Sequence, residues 1–140
     1  MRILALDMGE RRVGIAVSDP TGTIARPLRT LVRGSREEDF AAITALVAEH
    51  DVELVVVGQP LCLDGAEGPQ ARRVARYAEA LAARLPVPVV AWDERFTTVA
   101  AEEILRQNRR KKKRQARTRG EVDSIAAAVI LQGYLDSFSR

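Results

Sequence analysis

The chain has 140 residues, 22 Lys or Arg against 19 Asp or Glu, a formal net charge of +3, and one each of His, Cys and Trp. At about 100 to 200 residues per domain, residues 1–140 make a single domain, and 46% hydrophobic with 29% charged residues excludes a disordered chain. The lone His50 and lone Cys62 exclude multi-histidine and Cys/His zinc chemistry and an internal disulfide, and they suit a reducing compartment.

Residues 3–6 form a short apolar run that ends at Asp7 and Gly9, which predicts a buried strand. The run is too short for a secretion signal, and no segment approaches the roughly 18 apolar residues of a membrane span. A cytoplasmic protein with no membrane partner is expected. Val13, Ile15 and Val17 alternate with Gly14, Ala16 and Ser18, the period of a second strand. Asp19-Pro20-Thr21-Gly22 gives a turn. Residues 23–31 resume a strand pattern, in which Pro27 argues for an edge or a bulge. Connections this short force the three strands into an antiparallel meander.

Beyond Gly34, Ser35 and Glu38 form a capping box for a helix with Phe40, Ile43 and Val47 at helical spacing. Leu54-Val55-Val56-Val57 reads as a strand buried on both faces in a parallel arrangement. A loop over 58–68 leads to Pro69 at a helix start, with Val74, Tyr77, Ala78, Leu81 and Leu85 as the apolar stripe. Residues 87–92 make another strand, Thr97 or Thr98 caps a helix running to about 105, and a last helix spans about 121–136. The pattern predicts an α/β domain: a mixed five-stranded sheet, meander first and two parallel strands after, flanked by helices.

The modest net charge hides a segregation. Nine basic residues and no acidic one fall within 106–119: Arg106, Arg109, Arg110, Lys111, Lys112, Lys113, Arg114, Arg117 and Arg119. The remaining positions hold 13 basic residues against 19 acidic ones, so an acidic body carries one basic loop at about 106–120. Solvated tails often look like this. This segment is internal and runs directly into the last helix, which favours contact with a phosphate backbone.

Three carboxylates occupy positions where chemistry gathers. Asp7 directly follows the first strand, where its desolvation calls for a partner. Asp93-Glu94-Arg95 ends the 87–92 strand, and ligands collect beyond strand carboxyl ends. Asp123 heads a helical stripe of Ala126, Ala127, Ile130 and Tyr134, and so begins an otherwise apolar face. Carboxylates with almost no histidine are the donor set of hard cations, Mg²⁺ or Mn²⁺, and such a site can hold two ions for phosphoryl displacement.

The ordered segments Ile3-Leu4-Ala5-Leu6-Asp7-Met8-Gly9 with Arg12-Val13-Gly14-Ile15-Ala16, Val57-Gly58-Gln59-Pro60-Leu61 through Gln70, Trp92-Asp93-Glu94-Arg95-Phe96-Thr97-Thr98, and Asp123-Ser124-Ile125-Ala126-Ala127-Ala128 through Leu131 resemble the YqgF/RuvX family. The match covers essentially the whole chain. It implies a ribonuclease-H-like fold and a metal-dependent endonuclease. The catalytic and metal-binding carboxylates it implies are Asp7, Glu94 and Asp123. Asp93 is the substitute for Glu94, since neighbouring strand-end residues point opposite ways. Two-metal hydrolysis would leave a 5′-phosphate and a 3′-hydroxyl. Arg109, Arg110, Lys111, Lys112, Lys113, Arg114, Arg117 and Arg119, with Arg95 and Gln59, are the expected nucleic-acid contacts. The partner is a four-way DNA junction or precursor rRNA, and symmetric cutting of a junction calls for a homodimer. Cys62 departs from the family's usual residue without touching the chemistry.

Of six aromatic residues, five fall in core stripes or strand ends, namely Phe40, Tyr77, Trp92, Tyr134 and Phe138, while Phe96 either staples a helix start or stacks on a base. Two other readings compete. The Asp-x-Gly and Val-Gly-Ile-Ala-Val pattern also occurs in actin-like and sugar-kinase ATPases, which close two such domains over a nucleotide, whereas this chain supplies one. A non-catalytic RNA- or ribosome-binding factor would keep the basic segment and need no metal.

Overall fold

The first two links are too short for anything but hairpins. In the computed structural model, which describes residues 1–60, 67–93 and 119–138, β1 (Arg2–Met8) pairs antiparallel with β2 (Arg12–Ser18), and β2 pairs antiparallel with β3 (Ala25–Val32). Helix α1 (Arg36–Glu49) then returns the chain so that β4 (Val52–Gln59) runs parallel to β1. Helix α2 (Pro69–Ala82) does the same for β5 (Val89–Asp93), parallel to β4. Helix α3 (Arg119–Asp136) follows, and the sheet order is β3-β2-β1-β4-β5. This is the mixed sheet expected from the strand patterns.

Local chemistry explains the boundaries. The Asp19 carboxylate accepts the backbone N–H groups of Thr23 (2.8 Å) and Ile24 (2.9 Å) and the Thr21 hydroxyl, so the β2–β3 turn is closed by one side chain. Those bonds hold its pKa well below the ordinary carboxylate range. Pro27 lies on an edge strand where the register slips from Ile15↔Arg29 to Ala16↔Pro27, the bulge its missing N–H predicts. At α1 the Ser35 hydroxyl accepts the Glu38 N–H at 3.1 Å and donates to the Glu38 carboxylate at 3.1 Å. A second carboxylate, the buried Asp39, accepts the Gly34 N–H at 2.9 Å.

Alternation along the strands sorts the core into two layers. Leu4, Leu6, Ile15, Val55 and Val57 pack under α1 and α2 against Phe40, Ile43, Tyr77 and Leu81. Ile3, Ala5, Ala16 and Val56 face α3 through Ala127, Ala128, Leu131 and Leu135. Gln132 pins α3 to the sheet edge: its Oε1 accepts the Ala25 N–H at 3.0 Å, and its Nε2 donates to the Thr23 carbonyl at 3.0 Å.

Several expectations are corrected. Asp7, Gln59 and Asp93 lie inside strands, each in the last two residues, because ladder pairing continues past the apolar runs. Helix α3 begins at Arg119, so the end of the expected basic loop is helical. Of the expected α3 stripe, Ala127 and Ile130 are buried, joined by Ile125, Ala128, Leu131 and Leu135, whereas Ala126 and Tyr134 are only half-buried. Phe138 is 71% exposed instead of core, and its ring stands edge-on to Tyr134 at 5.0 Å. The expected helix over 97–105 lies outside the described residues.

Candidate active site

Asp7 is the penultimate residue of β1 and continues the Ile3–Ala5 face, so its side chain stands on the α3 side of the sheet. Directly opposite it in the ladder is Gly14 of β2. Gly14 carries no side chain because the backbone of α3 occupies that space: a Cβ there would lie 1.9 Å from the Asp123 carbonyl oxygen. The helix therefore rests on the sheet at Asp123, one strand away from Asp7. Burial pushes the Asp7 carboxyl above its ordinary value of 3.8, and the negative charge of Asp123 pushes it further the same way. Two carboxylates from opposite ends of the sequence thus share one half-buried site.

Among the described residues one cation pairs with Asp123. Arg12, two residues from Gly14 on the same face of β2, places Nε 2.7 Å from Asp123 Oδ2. Both side chains are about one-third exposed, so this pair sits at the rim of the site. Among the described residues no three His, Cys, Asp or Glu side chains form a ready metal cluster. Asp7 and Asp123 are the two expected donors that come together.

Asp93 behaves differently. In β5, Val90 and Trp92 pack on the α3 side, with Trp92 edge-on to Tyr134 at 5.3 Å, whereas Val89 packs on the α1/α2 side. Asp93 continues the Val89 face, away from Asp7 and Asp123. Gln59, beside Asp93 in the ladder, uses its Nε2 to donate to Glu67 at 3.2 Å. Arg119 is in the first turn of α3. Glu94, Arg95, Arg109, Arg110, Lys111, Lys112, Lys113, Arg114 and Arg117 lie outside the described residues, as do Cys62 and Phe96.

Sequence reasoning passed over Gly14, Arg12 and Gln132. The signal for the first was present: Gly14, Ala16 and Ser18 put three small residues on one strand face, which marks a close approach by another backbone. A family model described as RuvX, Holliday junction resolvase, matches residues 1–137. The chain belongs to this family. Curated relatives carry the name "Putative pre-16S rRNA nuclease": that of Syntrophus aciditrophicus is 47% identical over 140 residues, covering 100% of this chain and 91% of its own length. That of Chloroflexus aggregans is 48% identical over 135 residues, covering 96% and 93%.

Among solved structures, Thermus thermophilus RuvC in complex with a Holliday junction substrate aligns with a TM-score of 0.59 at 17% identity, over 98% of this chain and 94% of that one. The fowlpox virus Holliday junction resolvase aligns at 0.56 with 12% identity, over 99% and 100%. These likenesses establish the RuvC-type ribonuclease-H-like fold of the family member described here.

Proposed function

We propose that the chain is a divalent-metal-dependent endonuclease that hydrolyses phosphodiester bonds, with precursor 16S rRNA as its substrate. The observation that carries this reading is the meeting of Asp7 and Asp123, built by a glycine that lets α3 reach the sheet. Two neighbouring carboxylates, one of them destabilised in its charged form, suit a hard cation, and the oxygen-only donor set fits Mg²⁺ or Mn²⁺. Asp7 and Asp123 would hold the metal. The alternation that turns Asp93 away favours Glu94 as the third ligand. When bound, two such ions would supply charge neutralisation and Lewis-acid polarisation of the scissile phosphate.

The chain's own groups set the rest. Asp7 must be ionised to act as a ligand. Arg12 holds the Asp123 carboxylate in place from the rim and adds positive charge where a phosphate would approach. The basic residues of 106–119 supply backbone contacts that carry no sequence preference. Membership of a nuclease family supports the hydrolytic activity. Relatives sharing nearly half their residues bear the rRNA name, which favours precursor rRNA over the four-way junction.

The test compares purified protein on precursor 16S rRNA and on an immobile four-way DNA junction, with Mg²⁺ and with Mn²⁺. Cleavage of the rRNA near its mature 5′ end supports the reading. Paired symmetric cuts in the junction alone, with a dimer in sedimentation, would replace rRNA by DNA as substrate. No cleavage of either would refute a nuclease.

A further inference from the structure

The opposite face of the sheet carries a site that the cleavage reading leaves unused. Between the tip of β1, the start of α1 and the first turns of α2 lies a cleft of about 270 Å³. Arg33, Arg36, Arg73 and Arg76 line it, together with Tyr77 and Glu10. Four guanidinium groups outnumber the Glu10 carboxylate of the lining and the buried Asp39 carboxylate whose charge reaches Tyr77, so the cleft is net positive, and none of the four arginines has a salt bridge among the described residues.

The arrangement is held, not loose. Arg33 Nη1 donates to the Gly9 carbonyl at 2.8 Å, and its guanidinium lies 5.2 Å from the centre of the Tyr77 ring. Arg36 approaches the same ring at 5.9 Å. Tyr77 is only 2% exposed, and its hydroxyl has no hydrogen-bond partner among the described residues. A buried donor left unpaired is uncommon and calls for a reason. Helix α2 also begins at this cleft, with no side-chain cap and no acidic residue in its first turn. Clustered like charge, an unpaired hydroxyl and an uncompensated helix N-terminus all favour an anion.

The guanidinium fork matches phosphate, and position says whose phosphate it is. Met8 and Gly9 line the cleft, while Asp7, the residue before them, faces the other side of β1. A nucleic acid held at Asp7 and crossing the strand tip would pass the mouth of the cleft. We propose that the arginine cleft binds a backbone phosphodiester of the nucleic acid whose cleavage is assigned to Asp7 and Asp123. This rests on the nuclease reading for its ligand and on separate residues for its contacts.

The test uses Arg73→Ala with Arg76→Ala, both on the exposed side of α2, in an Asp7→Asn background that leaves the RNA intact. Binding of a fluorescein-labelled single-stranded RNA is followed by anisotropy over a series of salt concentrations. The double substitution should weaken binding about tenfold and lower the log–log salt slope by about 1.4, near 0.7 for each lost phosphate contact. Removing Arg26 and Arg29, exposed on β3, should change affinity less than about twofold if the effect is local and not general charge. Tyr77→Phe keeps the ring and should weaken binding a fewfold without unfolding the chain.

A 5′-phosphorylated and a 5′-hydroxyl RNA should bind equally. A preference for the 5′-phosphate that vanishes with Arg73 and Arg76 would overturn the backbone assignment in favour of a chain end. Unchanged binding and slope in the double variant, or an equal loss from the β3 pair, would overturn the site. If the wild-type protein cleaves nucleic acid while the cleft variants bind normally, only this proposal fails. If binding falls as expected but the wild-type protein cleaves neither rRNA nor junction, the nuclease reading fails and the cleft stands.

Discussion

Asp7 and Met8 are neighbours in β1, yet they belong to two differently built halves of the molecule. On the Asp7 side, the sheet offers Ala5, Gly14 and Ala16 and α3 answers with Ala127 and Ala128, so helix and sheet meet with little between them. On the Met8 side, Leu4, Leu6, Phe40, Ile43, Tyr77 and Leu81 hold α1 and α2 away from the strands. Small residues bring a helix backbone into contact and fix a carboxylate where its charge is least welcome. Large residues fill the middle of the other layer and leave a cleft at its end, which arginines line. One strand tip thus presents two neighbouring carboxylates on one face and four arginines on the other.

The difference between the two faces rests most heavily on Asp7. Asp7→Asn should lower metal-dependent cleavage at least about a hundredfold, the loss of roughly 3 kcal/mol of transition-state stabilisation. The same change should raise the melting temperature in the presence of a chelator. The folded protein disfavours the Asp7 carboxylate, so stability is lost as pH rises past the ordinary value of 3.8 and stays lost at neutral pH. Melting the wild-type and Asn proteins from pH 3 upward should give curves that separate as pH increases, with Asn the more stable. Parallel curves would mean that Asp7 is not destabilised.

Gly14→Ala attacks the close approach itself. With a Cβ set 1.9 Å from the Asp123 carbonyl, α3 must shift, at a cost of about 1–3 kcal/mol or more in chemical denaturation. Cleavage should fall alongside, since the shift moves Asp123. Gln132→Leu should cost about 1–3 kcal/mol by orphaning the Ala25 N–H and the Thr23 carbonyl, with a smaller effect on cleavage because it acts far along α3 from Asp123. Arg12→Ala is the mildest: the rim pair with Asp123 should be worth under about 1 kcal/mol in denaturation.

Much of the α3 half was legible in advance. The apolar runs gave five strands and their directions, a meander then two parallel strands, because short links permit only hairpins and β-branched runs favour central parallel strands; the order within the sheet came from the structure. Asp7 and Asp123 stood out as carboxylates where apolar residues were due. Asp93 and Glu94 could not be separated without knowing which way β5 turns; the packing of Trp92 and Val89 turns Asp93 away from Asp7, and Glu94 lies outside the described residues. The arginine cleft was not legible at all. Its arginines sit at loop and helix positions that read singly as exposed surface, and only the fold brings Arg33 and Arg36 over the ring of Tyr77. Tyr77 itself read as an ordinary core residue, and the sequence says nothing of its missing partner.

The cation site proposed at Asp7 and Asp123 depends on the close-packed helix that brings the two carboxylates together. Thermal unfolding with increasing Mn²⁺ tests it without any substrate, because an ion that binds only the folded state must stabilise it. The wild-type protein should melt at progressively higher temperature as Mn²⁺ rises, while Asp7→Asn and Asp123→Asn should show little or no response. An Asp123→Asn protein stabilised by Mn²⁺ as strongly as the wild type would contradict the account.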